Sequence, residues 1–347
     1  EQVALDGADA VAIALFRSEA TVANSLVRGT TGDPGHAVYI EGEGSLAIDS
    51  ALVELNAGAG VVAIDAAVTI EGSIVRQNGG YGVAVQGEAE PSALTSSIVT
   101  ENGSVGVFVS AAELRIDGSE IAATLEINGV GRLIEAQAGA DIEIVGASAL
   151  HDSENVGVLV DASRLTMEGG ECWGNERGFW VQRTGEDQMV DGQAVVLDGV
   201  DVHDNGFVGI GGTEALGLVV RGGRVANTTI VPIVSRGRTI RAGDGIQALA
   251  GSVVVAENLR FEGNERAAAL FDDSFGSIEG LGASGVSGST VDVPKGPESA
   301  GIVIQGDMPM PDGFVGNNVE PVTLGGSAQL GFLADVLGVA PPAQVAP

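Results

Sequence analysis

Apolar and polar residues alternate along most of the chain in short runs with the period of two expected of strands. The runs GHAVYI, GVVAI, GYGVAV, SVGVFV, NVGVLV and RGFWV end on Ile40, Ile64, Val85, Val109, Val160 and Val181, at steps of 24, 21, 24, 51 and 21 residues. The step of 51 holds two periods with an indistinct strand between them. A second phrase comes before such strands: NSLVRGT, GSIVRQN, SSIVTEN, ECWGN, VHDN and RFEGN close on Thr30, Asn78, Asn102, Asn175, Asn205 and Asn264. The unit is therefore strand, turn, strand, Asn turn, Gly, strand. Gly-Asn-Glu-Arg occurs twice, at Gly174–Arg177 and Gly263–Arg266, as the corner that leads into an alternating strand.

Short strands repeating at about 22 residues, with Asn or Gly at fixed corners, suit a coil in which each side chain stacks on its equivalent about 4.8 Å away. Asparagine serves such a corner in two ways: its amide satisfies backbone groups and the next amide together, and it tolerates left-handed backbone. Asn78, Asn102, Asn175 and Asn205 are expected to form a ladder inside the corners, with Arg76 pointing outward. On the SxVxxNxxxGVxV pattern the chain resembles, over roughly residues 3–306, the right-handed parallel β-helix repeat proteins of the pectate-lyase-like superfamily. The resemblance implies an all-β fold, a single-stranded right-handed parallel β-helix (solenoid) of about a dozen coils. The LxxLxLxxN spacing of leucine-rich repeats is missing. The helix is expected over residues 1–306, with a C-terminal cap and Pro/Ala-rich tail over 307–347. The superfamily embraces lyases, hydrolases, epimerases, tail spikes and surface proteins, so it implies no single activity.

Composition narrows the partners. Glycine is abundant (54 residues) and aromatics make up 4%, so the core must be built from small branched side chains. The formal charge of −31, from 47 acidic and 16 basic residues, repels nucleic acid and anionic membrane surfaces. The only lysine is Lys295 and the only cysteine Cys172, which rules out an internal disulfide and a cysteine-rich zinc cluster. No apolar run reaches membrane-spanning length, so direct membrane insertion is not expected. EQVALDGADAVAIALF lacks a basic leader, so the chain reads as a mature or trimmed one whose signal segment is not included. An extracellular or cell-surface location is expected.

Two outward columns carry the candidate chemistry. In the GVxV strands the column between inward aliphatics reads Tyr39, Ala63, Ala84, Phe108, Leu159 and Trp180, an apolar stripe that is either a contact surface or covered by a loop or tail. Aligning LHDSENVG with VHDNGFVG places His151 over His203, Asp152 over Asp204, and Ser153 in the Asn slot. CWGN adds Trp173 to the histidine column and turns Cys172 inward. The expected ligand-binding set is thus Trp173, Trp180, His151, His203, Phe108 and Arg183. The long connection Arg183–Gln193 is expected as one wall of an outer groove, and Pro232–Gly243 and Val293–Ser299 are two further long connections.

As catalysts only Asp152, Asp204, His151 and His203 offer themselves, the two carboxyls at a spacing near that of an inverting glycosidase. The resemblance would require more for the superfamily's enzymes. A lyase needs an arginine or lysine base on a coil face, whereas Arg236, Arg238 and Arg241 cluster in a connection; the DD and GHG elements of the polygalacturonase-like hydrolases are absent. No metal site is expected. Calcium is compatible with the acidic composition, but the chain lacks the GGxGxDxUx motif that loads it. The expected function is a secreted or cell-surface scaffold with a structural or adhesive role, binding a glycan or a surface protein along one outer face. The alternatives are a polysaccharide-processing enzyme (an inverting hydrolase, or a lyase or epimerase) and a self-associating filament or tail-spike-like subunit.

Overall fold

The computed structural model describes residues 3–235, 238–279, 300–305 and 322–324. The chain divides into two compact units, the first reaching Leu159 and including Ser163–Leu165, the second holding Val160–Ala162 and continuing from Thr166. In each, the strands follow a cycle of three, and each joins a different parallel sheet. The strands Leu26–Arg28, Leu52–Glu54, Ile74–Arg76 and Ile98–Thr100 are neighbours in the first sheet of the first unit. His36–Glu41, Val61–Ile64, Val83–Gln86 and Val105–Ser110 follow one another in the second sheet, and Ser45–Asp49, Ala67–Glu71, Ser92–Thr95 and Glu113–Asp117 in the third. The second unit repeats the cycle, and the two together hold about 11 turns. This is the all-β parallel solenoid expected from the repeat. Beyond residue 306, Val322–Leu324 pairs with Val303–Gln305 in the second sheet; the remaining residues of the expected cap and tail, like Lys295 and Val293–Ser299, lie outside the described residues.

The first-sheet strands are three residues long, and their middle residue points into the coil: Val27, Val53, Val75, Val99 and Ile121 are all buried. Parallel pairing stacks these residues row upon row. Burying each such aliphatic contributes about 1.5–3 kcal/mol. The corner that follows is an amide ladder. Asn56 Nδ2 donates to Asn78 Oδ1 at 2.8 Å and Asn78 Nδ2 to Asn102 Oδ1 at 2.9 Å. The backbone N–H of Asn78 also donates to Asn102 Oδ1, at 3.1 Å. In the second unit Asn175 Nδ2 donates to Asn205 Oδ1 at 3.1 Å.

One part of the corner expectation is corrected. The left-handed residue is the one before each ladder residue, such as Gln77, Glu101, Asp152 and Asp204, rather than the ladder asparagine itself. Gly174 and Gly263 hold that place in the two Gly-Asn-Glu-Arg copies, with φ of 68° and 63°. The arginine that ends each copy is buried at the entry to a second-sheet strand, Arg177 as its first residue and Arg266 just before Ala267: Arg177 lies over Trp180 and Phe207, and Arg266 is paired with Asp244. A second ladder runs along the corner before the first sheet, where Ser73, Ser97 and Ser119 each accept from the backbone N–H one coil back, at 3.0–3.2 Å.

The apolar outward stripe also differs from its expected form. Pairing places Val62, not Ala63, opposite Tyr39 and Ala84, and the column continues through Phe108 to Glu135. The strand Val61–Ile64 is apolar at every position, so alternation alone does not choose its frame. The whole column is buried, Tyr39 at 6% exposure and Phe108 at 0%. It is part of a hydrophobic cluster in which Tyr81 packs against Phe108 with ring centroids 5.1 Å apart.

Candidate functional site

In the second unit the first sheet consists of Glu171–Trp173, Asp201–His203, Arg224–Ala226 and Arg260–Glu262. Cys172, Val202, Val225 and Phe261 occupy the middle places and are buried, which pushes the Cys172 thiol well above its usual range. The residues on either side face outward and stack in two columns. One column runs Glu171, Asp201, Arg224, Arg260, and the other runs Trp173, His203, Ala226, Glu262.

Stacking brings the Trp173 and His203 rings to 5.7 Å between centroids with 2° between their planes. His203 Nδ1 lies 2.7 Å from Asp204 Oδ2, and Nε2 is 3.9 Å from Glu171 Oε2. Asp204 also accepts from Asn227 Nδ2 at 3.0 Å. The hydrogen bond from His203, helped by that of Asn227, holds the Asp204 carboxyl below the usual carboxylate range against a smaller desolvation. Arg224 forks onto Asp201, with Nε to Oδ1 at 2.9 Å and Nη2 to Oδ2 at 2.8 Å, and its Nη1 lies 3.7 Å from Glu262. Beside this network is a shallow concavity of about 570 Å³ lined by Asp201, Gly223, Arg224, Leu259 and Arg260, among others.

The first unit carries the same local motif once. His151 is the third residue of its strand, with Nδ1 2.8 Å from Asp152 Oδ2 and Nε2 3.5 Å from Glu120 Oε1. As the sequence suggested, His151, Trp173 and His203 hold equivalent places in their first-sheet strands. Asp152 and Asp204 belong to different units, and each is engaged by the imidazole just before it. Asp204, held ionised, is a poor proton donor, which counts against it as the acid of an inverting pair.

Three expected site residues are placed elsewhere. Phe108 and Trp180 are fully buried, so neither presents the outer surface expected of it. The Trp180 indole lies across the backbone of Gly211, where an added Cβ would come within 2.4 Å of the ring. Arg183 sits at the turn from second to third sheet and donates through Nε to the buried Asp161 at 2.7 Å; Gln182 donates to the same carboxylate at 2.9 Å. The Arg183–Gln193 connection, with its short turn of helix at Glu186–Gln188, therefore leaves from the corner that does not adjoin the first sheet. The insertion that does follow a first-sheet strand contains the antiparallel hairpin Val231–Ser235 with Arg238–Ala242, tied down where the Ile230 N–H donates to Glu265 at 2.6 Å. Sequence reasoning missed Asp201, Arg224 and Glu262, whose only signal is a charged residue at either end of the phrases DVH, RVA and RFE.

Among the described residues no three His, Cys, Asp or Glu side chains are placed to hold a metal ion, and no helix is long and apolar enough to cross a membrane. Residues 11–169 match a family model described as a right handed beta helix region. The fold is a right-handed parallel β-helix. Among solved structures, this β-helix is similar to an Azotobacter vinelandii mannuronan C-5 epimerase A-module at 12% identity and a TM-score of 0.43, covering 77% of this chain and 87% of that one. A second epimerase A-module from the same organism matches at 13% identity and a TM-score of 0.31, covering 94% of this chain and 81% of that one. The catalytic unit of a Streptomyces thermodiastaticus α-1,3-glucanase matches at 12% identity and a TM-score of 0.29, covering 82% of this chain and 65% of that one. No curated protein sequence matches the chain.

Proposed function

We propose that this β-helix is a secreted or cell-surface scaffold with an adhesive role, and that the outer face of the first sheet in its second unit binds a neutral glycan. The observation that carries the reading is the Trp173–His203 stack. It stands half-buried on an outer face, while Phe179, Trp180, Phe207 and Phe261 of the same unit are fully buried. A stacked, hydrogen-bonded pair on a parallel ladder is pre-organised, so little ordering cost remains on binding. The concavity along the other column of the same sheet offers Asp201 oxygens as acceptors and the Arg224 and Arg260 guanidinia as donors, groups suited to sugar hydroxyls. The net charge of −31 disfavours polyuronates and other anionic polymers, which is why a neutral glycan is chosen.

The test is isothermal titration with neutral glucan, mannan and galactan oligosaccharides. Wild type is expected to bind at least one of them, and Trp173→Ala to bind it about 10- to 100-fold more weakly while melting at a similar temperature. Equal affinity in the two proteins, or no binding by wild type, would reject the reading. Sustained release of reducing ends or unsaturated products would favour an enzyme instead.

A further inference from the structure

The outer face of the first sheet in the first unit is built differently. Over the first five coils its first column reads Ala4, Leu26, Leu52, Ile74 and Ile98, before Glu120 and Ala149, and the four larger aliphatics stay partly accessible. The third column begins Asp6, Arg28, Glu54 and Arg76, acid and base in alternation, and continues through Thr100, Ala122 and His151. Arg28 pairs with Asp6 at 2.9 Å and Arg76 with Glu54 at 2.7 Å; Asp6, Arg28 and Arg76 are open to solvent, while the Glu54 side chain is 9% exposed beneath Arg76. An aliphatic spine beside a ladder of alternating charge is an unusual surface for a solvated sheet, which normally carries polar side chains outward.

We infer that this face pairs with the same face of a second copy of the chain, with the two coil stacks running antiparallel. Charge complementarity selects both the partner and the geometry. A two-fold axis lying in the interface along the strand direction reverses the order of the coils but keeps each column over itself. Aliphatics then meet aliphatics. Asp6 faces Arg76 of the second copy, Arg28 faces Glu54, and each contact occurs twice, as an isologous interface requires. An axis along the coil stack would instead set each acid level with its own copy and turn the aliphatic column onto the charged one. Like charges level with one another are repulsive. The four charges of the ladder sum to zero, whereas the whole chain carries −31, so this face escapes the repulsion that other faces of two copies would feel. Five rows span only about 19 Å at β spacing. With strands three residues, or about 10 Å, across, the patch covers about 200 Å², well below the roughly 800 Å² per partner of a standard stable interface, so the association is weak and reversible. It is independent of the glycan face, which lies in the other unit.

Sedimentation equilibrium of the full chain from about 10 μM to about 1 mM should show a monomer–dimer equilibrium. Leu52→Glu is expected to raise the dimer dissociation constant at least tenfold with an unchanged melting temperature. A charge exchange gives the sharper test. Asp6→Arg alone sets Arg against Arg76 of the second copy and should weaken the dimer, and Arg76→Asp alone should weaken it in the same way. The double variant rebuilds a self-complementary column and should recover most of the association, a result that a merely destabilised fold could not produce. A chain that is monomeric at about 1 mM, or a double variant no better than either single one, would overturn the inference.

Discussion

The leading residues of the first-sheet strands are Leu26, Leu52, Ile74 and Ile98 in four successive coils of the first unit, before Glu120 and Ala149 close it, and Glu171, Asp201, Arg224 and Arg260 in the second. The middle residues hardly change character, being aliphatic in the one and Cys, Val or Phe in the other, and all but Leu5 of the first strand are buried. The solenoid thus needs only the middle residue of each short strand and leaves the outward places available for binding. In the early coils of the first unit those places make an aliphatic spine with a neutral charge ladder, and in its last coils the His151–Glu120 pair. In the second they make an aromatic–imidazole stack inside an ion-pair network.

Breaking what the two units share should cost most. Asn78→Leu removes the acceptor of the Asn56 side-chain and backbone N–H groups and the donor to Asn102. At about 1–3 kcal/mol per buried group left unsatisfied, chemical denaturation should show a loss of about 3 kcal/mol or more. Gly211→Ala acts only in the second unit: its Cβ would meet the buried Trp180 ring, and overpacking of that kind costs about 1–3 kcal/mol. Arg76→Gln comes lower, at about 1 kcal/mol after discounting for its partly exposed guanidinium, because the mostly buried Glu54 loses its forked partner. The sequence reads Arg76 as outward and expects a cost well below that of a ladder asparagine, without showing Glu54 beneath it.

The smallest effect concerns pH. The Asp204 carboxyl is lowered on folding, so the folded chain holds on to fewer protons there than the unfolded one. Its stabilisation is complete above the usual carboxylate range and is lost as the pH falls through the lowered value. Asp204→Asn should therefore lie slightly below wild type at neutral pH and converge with it below about pH 4, which flattens the acid limb of the stability profile. Because the carboxylate is largely exposed, the difference is small and is best read from urea midpoints of the two proteins in parallel.

Much of this architecture is legible in the sequence because each coil repeats one physical demand. The SIVRQN and SSIVTEN phrases hold an inward valine, a ladder asparagine and, less obviously, the serine of the second ladder, all in order. Asn56 is harder to see because ALVELN has Ala51 in place of the serine that opens the phrase. The equivalent places of His151, Trp173 and His203 follow from counting along the coil. What alternation cannot tell is whether an outward side chain is covered. Trp180 and Phe108 do point away from the coil interior, and both are buried all the same. Nor does it place a long connection on a corner until the coil is known to have three faces. Arg183–Gln193 follows a second-sheet strand, so it cannot flank the first sheet's histidine column. The Asp201–Arg224–Glu262 network joins residues 23 and 38 positions apart and emerges only once the register is known.

The central claim is that the two outer faces of the first sheet do different work, and one experiment tests it most directly: parallel titration of wild type, Trp173→Ala and Leu52→Glu with the neutral oligosaccharide panel, by calorimetry at a concentration where the chain is monomeric. The account predicts that Trp173→Ala loses at least tenfold in affinity while Leu52→Glu binds as wild type does. Equal losses in both variants, or none in Trp173→Ala, would contradict it.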